Sequence, residues 1–227
     1  MTAQQLPLDL KSLPVLGRDD FFVGACNELA VNWVEKWPTG WGHFPAFTLH
    51  GPRGSGKSHL AEVWRKGSGA IILDNDQFLK TPIDKLMDGN HHLVLDHLDK
   101  LIGDRVAEEH VFHLYNACHY HHLYFLGLAH KSPEEMPFVI KDLASRLRAA
   151  PHAAMLPPDD ELLVKVLGRR FHDQGYVVGE PTLRYIVTRM ERSWEALDHL
   201  ITAAIAKATA EKKQITIPLM KDLLSGE

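Results

Sequence analysis

Residues 51–58, GPRGSGKS, match the pattern G-x-x-x-x-G-K-[ST] at every fixed position. They follow a short apolar run, AFTLH (46–50), and lead into a helix-like stretch, SHLAEVWRKG, which Gly67 is expected to close. A loop in this setting dictates a strand–loop–helix unit, because several backbone N–H groups must converge on one phosphate at a helix N-terminus. Gly51, Gly54 and Gly56 permit the tight path, with Pro52, Arg53 and Ser55 between them. Lys57 is expected to neutralise the outer phosphates and Ser58 to offer its hydroxyl to Mg²⁺, with His59 next in the helix. The stretch therefore predicts binding of ATP or ADP with Mg²⁺.

The same unit repeats along the chain. Apolar runs at 70–74, 92–96, 123–129 and 153–156 alternate with helical patterns, including 107–122 and IKDLASRLRA. An earlier helix is expected over 25–36, stopping before Pro38. Strands alternating with helices predict an α/β fold with a five-stranded parallel sheet covered on both faces. After Pro157-Pro158 the strands end, and four helical patterns follow, from DELLVKVLGRRFHDQG to IPLMKDLL. The expected organisation is an irregular segment over 1–18, a nucleotide-binding domain over 19–156 and a small helical lid over 157–227.

The run HLVLD places Asp96 at the end of a buried strand, where a carboxylate holds Mg²⁺ directly or through water. Many nucleotide hydrolases carry a second acid next, to polarise the attacking water. Here that residue is His97, so slow intrinsic hydrolysis is expected.

Composition sets the remaining bounds. A formal charge of −4 gives no general attraction to nucleic acid, and Cys26 and Cys118 are too few for a disulfide framework. With no signal pattern or membrane-length apolar run, the expectation is a cytoplasmic protein that engages no membrane. Cys118, His119, His121 and His122 lack the paired spacing of metal ligands. Trp33, Trp37, Trp41 and Phe44 read as core packing rather than a base-stacking platform.

Several segments together resemble the AAA+ replication-initiator family, over nearly the whole chain. DFFVGACNELA (20–30) is similar to the family's adenine-pocket segment, which implies that Phe22, Val23 and Asn27 lie near the base. GPRGSGKSHLA resembles its phosphate loop, LVLDHLDKL its Mg²⁺-site strand, FHLYN (112–116) a typical helix segment and QITIPLMKDLL the close of its lid. IKDLASRL (140–147) resembles its arginine-finger segment, which implies that Arg146 reaches a neighbour's nucleotide; Arg148 is the local alternative. Guanidinium suits that task, being planar, permanently charged and forked. The lid of the family senses nucleotide through an arginine, implying Arg192 here with Arg189 as the alternative. No basic helix-turn-helix pattern follows Leu224, so origin recognition is not expected of this chain.

The opening peptide QQLPLDL (4–10) resembles the short motif by which bacterial replication proteins dock on the sliding clamp. Leu6, Leu8 and Leu10 would enter an apolar groove while Gln5 bonds at its rim. The resemblance thus implies a negative regulator of replication initiation. It would be tethered to the DNA-loaded clamp at replication forks, touch DNA only through that clamp, and stimulate hydrolysis of ATP on the initiator DnaA. Homodimers and higher oligomers stay open. The alternatives are a helicase-loader or initiator-type ATPase on single-stranded DNA, and a small-molecule phosphotransferase.

Overall fold

Short apolar runs that cannot cover themselves with their own side chains must pair, and five of them do. The computed structural model describes residues 22–224. It contains strands β1 (Ala46–His50), β2 (Ile71–Leu73), β3 (Leu93–Leu95), β4 (Phe125–Ala129) and β5 (His152–Ala154). They form one parallel sheet in the order β2-β3-β4-β1-β5. The central strands β1 and β4 are in register from Ala46 opposite Phe125 to His50 opposite Ala129, so their C-terminal ends finish side by side.

Side chains alternate between the two faces, as the pleat requires. Leu93, Leu95 and Phe125 join a cluster with α5 (Arg105–His121) and α6 (Lys141–Ala149). Val94, Leu126, Leu128, Phe47 and Leu49 join the opposite cluster, covered by α1 (Glu28–Glu35) and α2 (Lys57–Ser68). Trp41 stacks on Trp64 with ring centroids 5.5 Å apart, and Trp37 meets Trp64 edge-on at 5.6 Å, so these tryptophans mostly face one another. Between β2 and β3, the helical stretch breaks at Thr81-Pro82 into α3 (Asn75–Lys80) and α4 (Ile83–Asp88).

A third cluster belongs to α7 (Asp160–Asp173), α8 (Glu180–Val187), α9 (Trp194–Glu211) and α10 (Ile217–Leu224). Phe22 and Cys26 pack into this helical cluster, so the start of the described chain leans on the lid as well as on the sheet. No described helix is long and apolar enough to cross a membrane.

Most expected boundaries move by one to three residues, and three of the shifts have a clear local reason. Helix α2 runs through Gly67 and closes at Gly69, whose left-handed backbone (φ +72°) donates its N–H to Arg65 O. The second strand ends at Leu73 because Asp74 caps α3, its side chain accepting from Gln77 N–H at 2.7 Å. The fifth strand starts one residue early, at His152, fixed by its pairing with Thr48. Among the described residues no group of three or more His, Cys, Asp or Glu side chains is arranged to hold a metal. Burial pushes the Cys118 thiol up to about 12, making it a small core hydrophobe.

Burial disfavours the charged form of two histidines. His92 Nδ1 accepts the Tyr124 N–H at 3.1 Å, and burial, helped by His91, lowers its pKa. His50, beside His152, is lowered by burial first and then by His152. The unfolded chain therefore protonates at higher pH than the folded one at both positions. Stability is full above the ordinary imidazole range, about 6.5, and is lost as pH falls through the lower folded values. Urea unfolding at about pH 8 and about pH 5.5 should show this loss, and His92→Gln, which keeps an acceptor, should reduce it.

Candidate functional site

The sheet presents the C-terminal ends of β1, β3 and β4 to a cavity of about 1540 Å³ whose far wall is α9. Ligands of open parallel sheets bind at this end of the strands. The phosphate loop leaves β1 here, and two backbone bonds fix its root: Gly51 N–H donates to Ala129 O (3.2 Å) and Met155 N–H to His50 O (2.7 Å). A Cβ at Gly51 would stand 2.0 Å from Met155 O, so only glycine fits.

The tip of the loop is held by the lid. Gly54 is left-handed (φ +73°), and a Cβ there would meet Ser193 Cβ at 2.6 Å. Trp194 N–H donates to Gly54 O at 3.1 Å, and Arg53 Nη2 lies 3.0 Å from Glu195 Oε1. Ser193 makes this docking possible by capping α9, its hydroxyl accepting from Ala196 N–H at 3.1 Å.

Lys57 opens α2 and donates its Nζ to the loop carbonyls of Gly51 (2.7 Å) and Pro52 (2.8 Å). Burial lowers its pKa, while Asp96 and Asp99 pull in the opposite direction. Asp96 follows β3, and its Oδ1 accepts the His97 N–H at 2.8 Å, with His97 Nδ1 a further contact at 3.2 Å. His97 takes a left-handed backbone (φ +53°) and opens the 3-10 turn Leu98–Lys100.

The residues present fit a magnesium nucleotide. Loop N–H groups and the N-terminus of the twelve-residue α2 suit a phosphate. The Ser58 hydroxyl and the Asp96 carboxylate are the oxygen donors that Mg²⁺ prefers. Ser58, His59 and Asp96 all line the cavity, as do Arg53 to Lys57. Gly51 and Pro52 sit behind the lining, contributing their carbonyls to Lys57.

Other candidates fall elsewhere. Phe22, Val23 and Asn27 are not among the lining residues. Asn27 is buried and folds the entry segment, with Oδ1 accepting Gly24 N–H (2.9 Å) and Nδ2 donating to Phe22 O (3.0 Å). Val23 and Leu156 stay more than half exposed near this fold, where Leu156 N–H donates to Cys26 O. Arg192 pairs with Asp160 at 3.0 Å, and Arg189 lies over the Tyr185 ring at 3.9 Å; neither lines the cavity. The lid residues that do are Trp194, Glu195, Asp198 and His199, together with small residues farther along α9. Sequence reasoning missed Trp194, although Ser193 in front of it was a legible helix cap.

Arg146 lies on α6, away from the cavity lining. Its Nη1 donates to Asn116 Oδ1 at 2.6 Å, and its guanidinium carbon sits 4.8 Å from the Phe112 ring centroid and 5.3 Å from that of Tyr115. The segment leading into α6 is tied down by Glu108, a fully buried carboxylate that accepts N–H groups of Gly103 (2.8 Å), Val139 (2.9 Å) and Ile140 (2.6 Å). Arg148 instead reaches Pro133 O at 3.2 Å and the Phe138 ring at 5.5 Å. Gln5, Leu6, Leu8 and Leu10 lie outside the described residues.

Removing the Lys57 ammonium should weaken binding of Mg²⁺–ADP by about tenfold or more, the scale of a lost charge-assisted hydrogen bond. Tryptophan emission during nucleotide titration checks this, since Trp194 lines the same cavity. Lys57→Ala should retain the helical circular-dichroism signal.

No family model matches this chain. It is similar to an uncharacterized protein of Haemophilus influenzae, 26% identical over 234 residues, which cover 98% of this chain and 99% of that protein. Among solved structures it resembles domain III of the replication initiation protein DnaA from Thermotoga maritima, with a TM-score of 0.74 and 19% identity, covering 93% of this chain and 98% of that one. It also resembles AMPPCP-bound DnaA from Aquifex aeolicus, with a TM-score of 0.72 and 19% identity, covering 87% of this chain and 67% of that one. The five-stranded parallel sheet with its helical C-terminal region thus has the fold of DnaA domain III.

Proposed function

We propose that this chain is a DnaA-related, nucleotide-bound regulator of replication initiation, of the inactivator type called Hda, that stimulates hydrolysis of ATP on DnaA. The observation that carries this reading is the placement of Arg146. In the fold of DnaA domain III, it stands on α6 outside its own chain's phosphate cavity, with the guanidinium held by Asn116 between two aromatic rings. An arginine held off its own site is suited to serve another. Glu108 limits the freedom of the segment that carries it, so little ordering is needed on contact.

In this reading DnaA binds ATP, and Arg146 enters beside its γ-phosphate, where charge spreads over several oxygens during cleavage. A finger supplied in trans accelerates such reactions by about 10³–10⁵ in other systems. The chain's own ADP or ATP acts as a conformational ligand: filling the cavity between the phosphate loop and α9 favours the state that engages DnaA. Gln5, Leu6, Leu8 and Leu10 tether the protein to the DNA-loaded sliding clamp and raise its effective concentration there. Contact with DNA is then indirect. The AMPPCP-bound DnaA neighbour supports the nucleotide assignment, and residues 4–10 support the clamp.

The test is release of labelled phosphate from ATP preloaded on DnaA, with DNA-loaded clamp and this protein. Arg146→Ala should remove the stimulation, and Arg146→Lys should restore little of it, because an ammonium lacks the fork. A chain without residues 1–10 should stimulate only at much higher concentration. Stimulation that survives Arg146→Ala would refute the assignment. Salt-sensitive binding of single-stranded DNA by the isolated chain would favour the loader alternative.

A further inference from the structure

At the edge of the cavity, a lining histidine and a carboxylate behind it have the arrangement of a base and its orienting acid. His130 follows β4 directly and lines the cavity together with Lys57 and Asp96. Its Nδ1 lies 3.2 Å from Asp99 Oδ2. Asp99 sits in the 3-10 turn after Asp96, with its side chain only 14% exposed, whereas the His130 side chain is 42% exposed. The two residues are 31 apart in sequence and meet because β3 and β4 are paired, Leu95 opposite Gly127. A carboxylate only accepts hydrogen bonds, so the shared proton belongs on Nδ1, and in the neutral imidazole Nε2 keeps its lone pair.

His97 is engaged differently. It occupies the place where a water-polarising acid commonly follows Asp96, but its Nδ1 and its main-chain N–H both turn to Asp96 Oδ1, at 3.2 Å and 2.8 Å. Its ring centroid is 5.7 Å from that of His130. His97 thus holds the Asp96 carboxylate, while His130 alone of the two is oriented by a separate acid.

We infer that His130 is the general base for slow cleavage of a nucleoside triphosphate bound in this chain's own cavity, with Asp99 as its positioning residue. This rests on the nucleotide reading of the cavity and is independent of any action on DnaA. Water oxygen forms a bond to the γ-phosphorus, and one water proton passes to His130 Nε2. The bond from that phosphorus to the β–γ bridging oxygen breaks, and the oxygen keeps the electron pair in the departing nucleoside diphosphate. Inorganic phosphate is the second product, and the imidazolium returns its proton to solvent. Lys57 stands where charge builds on the phosphates.

The experiment uses the full chain and three variants, His130→Gln, Asp99→Asn and His97→Ala. Single-turnover release of phosphate from γ-labelled ATP measures cleavage, and titration with the β,γ-methylene analogue of ATP measures binding. His130→Gln should slow cleavage by at least about tenfold, within the range of lost general-base catalysis, with analogue affinity within about twofold of the parent. Asp99→Asn should also slow cleavage. In ¹⁵N-histidine spectra it should remove the Nδ1–H tautomer preference of His130, a change that loss of packing alone does not produce. His97→Ala should affect binding in Mg²⁺ more than the cleavage step. Cleavage at the parent rate by His130→Gln would overturn the inference, as would a parent chain that binds the analogue and never cleaves ATP. Failure of the parent to bind the analogue would overturn the nucleotide reading itself.

Discussion

The hydrogen bond from Trp194 N–H to Gly54 O joins the lid to the phosphate loop, and the arrangement of the site depends on it. The loop is rooted in the sheet through Gly51 and Ala129, with Met155 closing over it, and its tip is taken by the first residues of α9. Side chains at Gly51 or Gly54 would separate these layers. Loop and lid are therefore in direct contact through the main chain and through the Arg53–Glu195 pair.

Charge is unevenly distributed around the cavity. Lys57, the loop N–H groups and the start of α2 face the cavity with Asp96, while Asp99, behind the lining, adds its negative charge to the field at Lys57. Acidic residues on α9, Glu195 and Asp198, are neutralised by Arg53 and Arg170. Arg146 is kept outside the cavity, gripped by Asn116, Phe112 and Tyr115 of α5. The same helix supplies Glu108, which fixes the approach to α6. One helix thus positions both the arginine and the segment bearing it.

Much of this was legible in the sequence because it is local. AFTLH spans the observed β1, and GPRGSGKS forms the loop between β1 and α2. The strand order could be read only as a class, since pairing depends on contacts far apart in the chain. What escaped reading is of that long-range kind: Asp99 meets His130 across two strands, and Trp194 meets Gly54 across the lid. Arg192 was implied near the nucleotide only by the resemblance of its segment to the family's lid. It precedes the Ser193 cap, however, and turns back to Asp160, so the next turn of the helix faces the loop instead.

Amide hydrogen exchange of the intact chain, with and without Mg²⁺–ADP, tests this coupling most directly. The account predicts that nucleotide slows exchange both in residues 54–58 and at Trp194, because one ligand orders the loop and the lid contact together. Protection of neither segment, or of the loop with Trp194 unchanged, would contradict it.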